Sequence, residues 1–129
     1  MNQESRKIKS FTDLNAWKEG HKLVLVIYKI TKEFPKEEQF GLVNQIRRAV
    51  VSITSNIAEG FSRYSYKEKS QFYSISLGSL TEVQNQLLIS KDLDYITNEV
   101  FHAVAKQTVD INKLINGLIK KTKSMTHDS

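Results

Sequence analysis

Cysteine is absent from the 129 residues of the chain. A disulfide framework, a thiolate metal site and a cysteine nucleophile are therefore excluded, and the composition suits a reducing, cytoplasmic setting. Proline occurs once and glycine five times, which is little punctuation for many short strands and favours a few long helices. No run approaches the roughly 18 apolar residues of a membrane span, and no signal-like apolar stretch follows the polar start Met1 to Lys7. A soluble protein with no membrane partner is expected. Gly-rich phosphate loops, Gly-x-Ser-x-Gly elbows and HExxH pairs are also missing, and His21, His102 and His127 are scattered. Neither an enzyme nor a cofactor or metal site is expected.

What is present is charge and helical periodicity. The formal charge is +5, compatible both with plain solubility and with a polyanionic partner. Residues 1–10 and 123–129 read as polar, basic tails around a single folded unit spanning 11–122. Thr12 or Asp13 can cap a first helix reaching about Glu33, with Leu14, Trp17, His21, Val24, Tyr28 and Thr31 as its seam. His21 on that seam reads as an interior or boundary histidine. The run Leu23 to Tyr28 could alone be a strand, but its flanks extend a helical pattern. Pro35 ends this helix, and Glu37 and Glu38 suit the start of the next.

The second helix buries Leu42, Ile46, Ala49, Val50, Ile53 and Ile57, and Gly60 reads as its stop. Ser65 with Glu68 forms a capping-box signal for a third helix, whose face is Tyr73, Ser76, Leu77, Leu80, Val83, Leu87 and Leu88, ending near Asp92 to Asp94. Thr97 caps a fourth, with Val100 or Phe101, Val104, Thr108, Ile111, Leu114 or Ile115, and Leu118 at heptad spacing. The fold class expected is all-α, an antiparallel up-down-up-down four-helix bundle.

On the second helix Gln45, Ser52, Asn56 and Glu59 edge the apolar face as a polar stripe, while Val51 and Ala58 occupy the back. The stripe reads as structural, its members satisfying one another at the bundle boundary; alternatively it or the back face meets another subunit. Lys18, Lys22 and Lys29 cluster on one quadrant of the first helix. With Arg47, Arg48 and Arg63 they are the candidate contacts to an RNA or DNA backbone, since ammonium and guanidinium groups pair with phosphates without reading bases. Aromatic residues do not interleave the basic ones as a stacking platform requires.

Several blocks occur together: Phe11-x-x-Leu14-x-x-Trp17, Phe34-Pro35-x-x-Glu38, Phe40-Gly41-Leu42, Gln45-x-Arg47-Arg48-Ala49, Ser55-Asn56-Ile57-Ala58-Glu59-Gly60 and Gly78-Ser79-Leu80-x-Glu82. In this combination the chain resembles the bacterial four-helix bundle proteins encoded in 23S rRNA intervening sequences. Thr54 stands where that family commonly has proline, and Asp94 where glycine is frequent. The resemblance implies a homo-oligomer, a ring-like pentamer, and no established enzyme activity. Related accessory proteins of diversity-generating retroelements look like the same bundle and associate with nucleic acid and a reverse transcriptase. The expected role is thus a non-enzymatic nucleic-acid-binding or accessory protein, or alternatively a scaffold that docks a partner enzyme without touching nucleic acid.

Overall fold

The computed structural model describes residues 7–125; the outer parts of both expected tails, 1–6 and 126–129, lie outside the described residues. Helices α1 (Asn15–Thr31), α2 (Leu42–Phe61), α3 (Tyr66–Asp92) and α4 (Asn98–Met125) form the bundle, with short 3-10 turns at Phe11–Asp13 and Lys36–Glu38. Each helix packs on the next in the chain, and α4 closes the ring on α1. The neighbours run antiparallel. Arg47 at the start of α2 reaches Thr31 at the end of α1, Ser79 meets Ser52 while Ser76 meets Ile53, and Gln84 meets Thr108.

The start of α1 differs from expectation. Neither Thr12 nor Asp13 caps it; Leu14 holds the N-cap position with no side-chain bond. Asp13 instead completes a reciprocal capping box with Ser10 on the preceding 3-10 turn. The seam is also rotated. Ala16, Gly20, Leu23, Ile27 and Thr31 are buried, Trp17 and Val24 are half-buried, and His21 and Tyr28 are exposed. The physical reason lies at Gly20, where an added Cβ would stand 3.1 Å from Thr54 Cγ2. The missing side chain lets α1 approach α2 along this line and turns the larger residues outward.

On α2 every residue of the expected face is buried, and the helix runs unbroken through Thr54, whose hydroxyl donates to the Val51 carbonyl at 3.1 Å. It begins at Leu42 rather than at Glu37, although Glu38 still serves the start by accepting the Leu42 N–H at 3.2 Å. Gly60 is not the stop: α2 continues to Phe61 and Ser62 is the C-cap. Gly60 instead lies against Tyr73 of α3. Ser65 caps α3 by accepting the Glu68 N–H, but Glu68 takes the Ser65 hydroxyl and completes only half of the box. Leu88, expected inside, is 45% exposed, whereas Ser79, Gln86 and Ser90 are buried. Thr97 accepts the Val100 N–H at the head of α4, and Val104, Thr108, Ile111 and Ile115 enter the core.

The α3–α4 turn satisfies the last carbonyls of α3 in a Schellman arrangement, Tyr95 N–H to Ser90 O at 2.9 Å and Asp94 N–H to Lys91 O at 3.0 Å. Asp94 takes the left-handed position with φ 62°. Such a backbone strains a residue with a Cβ, so Asp94→Gly is expected to raise stability by about 0.5–1 kcal/mol in urea unfolding. Beneath the turn, Tyr95 donates to Glu38 at 2.8 Å and packs on Phe34, joining the two connections at this end of the bundle.

Two phenols make the fold alkali-sensitive. Burial pushes Tyr73 up to about 12, and the hydrogen bond to Glu38 raises Tyr95 above its ordinary value. A phenol whose folded pKa exceeds its unfolded value of about 10 contributes stability fully below pH 10 and loses it as pH rises toward the folded value. Urea midpoints are expected to fall between about pH 10 and 12, with a shallower fall for Tyr73→Phe.

Candidate nucleic-acid interface

The buried line of α1 defines what its opposite side presents. At 100° per residue Lys18, Lys22 and Lys29 lie within about 40° of one another and roughly opposite Leu23 and Ile27. Lys22 and Lys29 are exposed and Lys18 is half-buried. Lys22 pairs with Glu19 at 3.1 Å, an exposed contact that a phosphate can replace at little cost.

The three candidate arginines are not equivalent. Arg47 straps α2 to the end of α1: Nε donates to Thr31 Oγ1 at 2.9 Å, Nη2 to the Tyr28 carbonyl at 3.3 Å, and the guanidinium lies 4.5 Å from the centre of the Tyr28 ring. Two of its five donors are thereby engaged. Arg63 folds back over the α2–α3 corner, paired with Glu59 at 2.8 Å and lying over Phe72 at 4.8 Å. Arg48 is exposed and forms no ion pair among the described residues. It borders a shallow groove shared with Tyr28, Asn44, Arg47, Val51 and Ser55.

The polar stripe divides similarly. Asn56 Nδ2 donates to the Ser52 carbonyl at 2.8 Å and to Ser52 Oγ at 3.0 Å, and Ser79 donates across to Ser52 Oγ at 2.8 Å. Glu59 serves Arg63, and Gln45 is exposed beyond this network. Of the stripe, Ser52 is thus the member that bonds across the α2–α3 seam.

Aromatic residues stand closer to the lysines than the sequence reading allowed. Trp17, His21 and Tyr28 each precede one of the three lysines and form a row about 100° around α1. Only the one-residue offset in the sequence could have revealed it. Their rings are partly engaged with one another and with arginine: Trp17 stacks on His21 at 4.7 Å, Phe11 meets Trp17 edge-on at 5.5 Å, and Arg47 covers Tyr28.

Charge is also graded along the bundle. The end with the α1–α2 and α3–α4 connections carries Glu33, Glu37, Glu38, Asp92, Asp94 and Glu99 against Lys32, Lys36 and Lys91, while the opposite end carries Lys7, Lys9, Arg63, Lys67, Lys69, Lys120, Lys121 and Lys123 against Asp13, Glu59 and Glu68. Such an arrangement orients the molecule in the field of a polyanion. Among the described residues no group of three or more His, Cys, Asp or Glu side chains could hold a metal ion, and no helix is long and apolar enough to cross a membrane.

Comparison with known proteins agrees with this architecture. A protein of unknown function from the S23 ribosomal protein family of Bacteroides thetaiotaomicron has a similar structure, with a TM-score of 0.75 and 25% identity over 81% of this chain and 95% of that one. No curated protein matches the sequence. The family model for the 23S rRNA-intervening sequence protein matches residues 12–117, and with that match the chain belongs to the 23S rRNA-intervening sequence protein family.

Proposed function

We propose that the protein is a non-enzymatic, cytoplasmic helical bundle that assembles as a homo-oligomer and binds RNA or DNA through the phosphate backbone. The observation that carries this reading is the outward face of α1, where Lys18, Lys22 and Lys29 share one line, with the exposed Arg48 on α2 in the groove that Tyr28 also lines. The flexible lysines can follow an irregular backbone, and Arg48 supplies a planar fork for phosphate oxygens. Arg47 and Arg63 contribute field more than direct contact, because both are held by intramolecular partners.

Oligomerisation would multiply the basic face. Tyr28 and Val51 are exposed on α1 and α2, off the lysine line, and Ile75, Leu88, Ile89 and Val109 on α3 and α4. Exposed apolar residues on opposite pairs of helices, unlike on the two sides, suit a head-to-tail ring, which joins different surfaces of successive subunits, better than a two-fold dimer. The family resemblance favours five subunits.

Electrophoretic binding to structured RNA and duplex DNA across a salt series tests the ligand. Affinity is expected to fall steeply and linearly on a log–log plot, and failure to bind either at low salt rejects the proposal. Light scattering tests assembly, for which a monomer at high concentration is the contrary result. Absence of nucleic-acid binding together with a nuclease-resistant protein partner would instead support the scaffold reading, favoured by the exposed apolar residues of α3 and α4.

A further inference from the structure

A cavity of about 710 Å³ opens at the basic end of the bundle, away from the proposed backbone-binding stripe. Its walls are apolar, formed by Leu14, Phe61, Tyr73, Leu114, Leu118 and Met125. Lys7, Lys69, Lys113 and Lys121 also line it, and the acid among its lining residues is Asp13. The Asp13 carboxylate already accepts the backbone N–H groups of Lys9 and Ser10 at 2.9 and 3.0 Å.

Gly117 connects these features. It sits in the interior of α4, where glycine costs about 1 kcal/mol relative to alanine. Neither a positive φ nor a close neighbour explains it: a Cβ built there meets nothing within 4 Å. Lys113, Gly117 and Lys121 follow at i, i+4 and i+8, so one face of α4 presents a cation, a gap and a cation along the cavity. The missing side chain keeps the space open. Lys69 stands across from this face, on α3, donating to the Phe61 carbonyl at 2.8 Å and the Gly60 carbonyl at 3.4 Å. An ammonium has three donors, so one remains.

We infer that this cavity binds a single-chain amphiphile with an anionic head, a long-chain carboxylate, its tail on the apolar wall and its head held by Lys69, Lys113 or Lys121. A volume within the usual ligand-pocket range, apolar walls and a few polar groups of one sign are the features of such a site. The charge selects against cationic amphiphiles, and the apolar wall selects against small anions.

Isothermal titration of the full chain with dodecanoate below its micellar concentration tests this, with acetate and dodecyltrimethylammonium as head-only and opposite-charge controls. Saturable binding of one dodecanoate per chain is expected, at least tenfold tighter than either control. Gly117→Phe should weaken it at least tenfold by filling the gap, with helicity and oligomeric state unchanged. The exposed double substitution Lys113→Gln and Lys121→Gln should weaken dodecanoate severalfold and, by removing repulsion, strengthen the cationic control; this variant decides the matter if Gly117→Phe does not fold. No saturable binding, equal binding of the cationic amphiphile, or full affinity in a folded Gly117→Phe protein overturns the inference. A Gly117→Phe protein that changes oligomeric state while still binding dodecanoate does so too, because Gly117 would then serve subunit packing.

Discussion

Gly60→Ala is expected to destabilise the bundle by about 2 kcal/mol, against the direction that helix propensity sets. Alanine inside a helix is favoured over glycine by about 1 kcal/mol. At this position, however, the new methyl would lie 2.6 Å from Tyr73 Cε1, 2.9 Å from Tyr73 Cδ1 and 3.1 Å from Phe72 Cβ. Tyr73 is 1% exposed, so the overlap must be relieved by moving α3 against α2 or by tilting the ring toward the cavity it lines. Such overpacking typically costs about 1–3 kcal/mol, occasionally more, which exceeds the propensity gain. Gly78→Ala and Gly117→Ala are the controls. A Cβ at either meets nothing within 4 Å, and each is expected to gain up to about 1 kcal/mol in urea unfolding. Combining Gly60→Ala with Tyr73→Leu should be less destabilising than the sum of the two single changes, since the smaller side chain removes the overlap. A more stable Gly60→Ala protein would show that the α2–α3 approach is not as close as described.

The same glycine illustrates where the sequence was legible and where it was not. A glycine after an apolar helical stripe reads as a stop, and nothing in one sequence separates that role from close helix approach. On α2 the phase was readable because Leu42, Ile46, Val50, Ile53 and Ile57 alternate with polar residues such as Gln45, Arg48, Ser52 and Ser55. On α1 the unbroken run Leu23 to Tyr28 satisfies several phases, and the small residues Ala16 and Gly20 that fix the real one carry little hydrophobic signal. Buried polar residues on α3 were legible only in part. Ser76 fell on the expected face, but Ser79 and Ser90 were outside it, whereas both are buried with their hydroxyls spent on Ser52 Oγ at 2.8 Å and the Gln86 carbonyl at 2.7 Å. The basic stripe of α1 was fully visible as spacing. The inequality of Arg47 and Arg48 was not, because it depends on Thr31 and Tyr28 being carried to Arg47 by the turn at Pro35.

Neutralising the α1 stripe is expected to have the largest functional effect. In the triple variant Lys18→Gln, Lys22→Gln, Lys29→Gln, affinity for RNA or duplex DNA should fall a few hundred-fold at about 0.1 M salt, the log–log salt slope becoming shallower by about 3. The magnitude follows from counterion release: each phosphate contact contributes about 0.9 to the slope, so three contacts account for nearly three decades between 0.1 M and 1 M salt. The fold should be little affected, because the stripe lies opposite the buried line of α1 and its ion pair, Lys22 with Glu19, is exposed. Arg48→Gln should shift the slope by about 1. Arg47→Gln instead should mainly lower stability, as it leaves the strap to Thr31 and Tyr28 broken. Urea unfolding beside the salt series separates the two effects. An unchanged salt slope in the folded triple variant would place the binding surface elsewhere than α1.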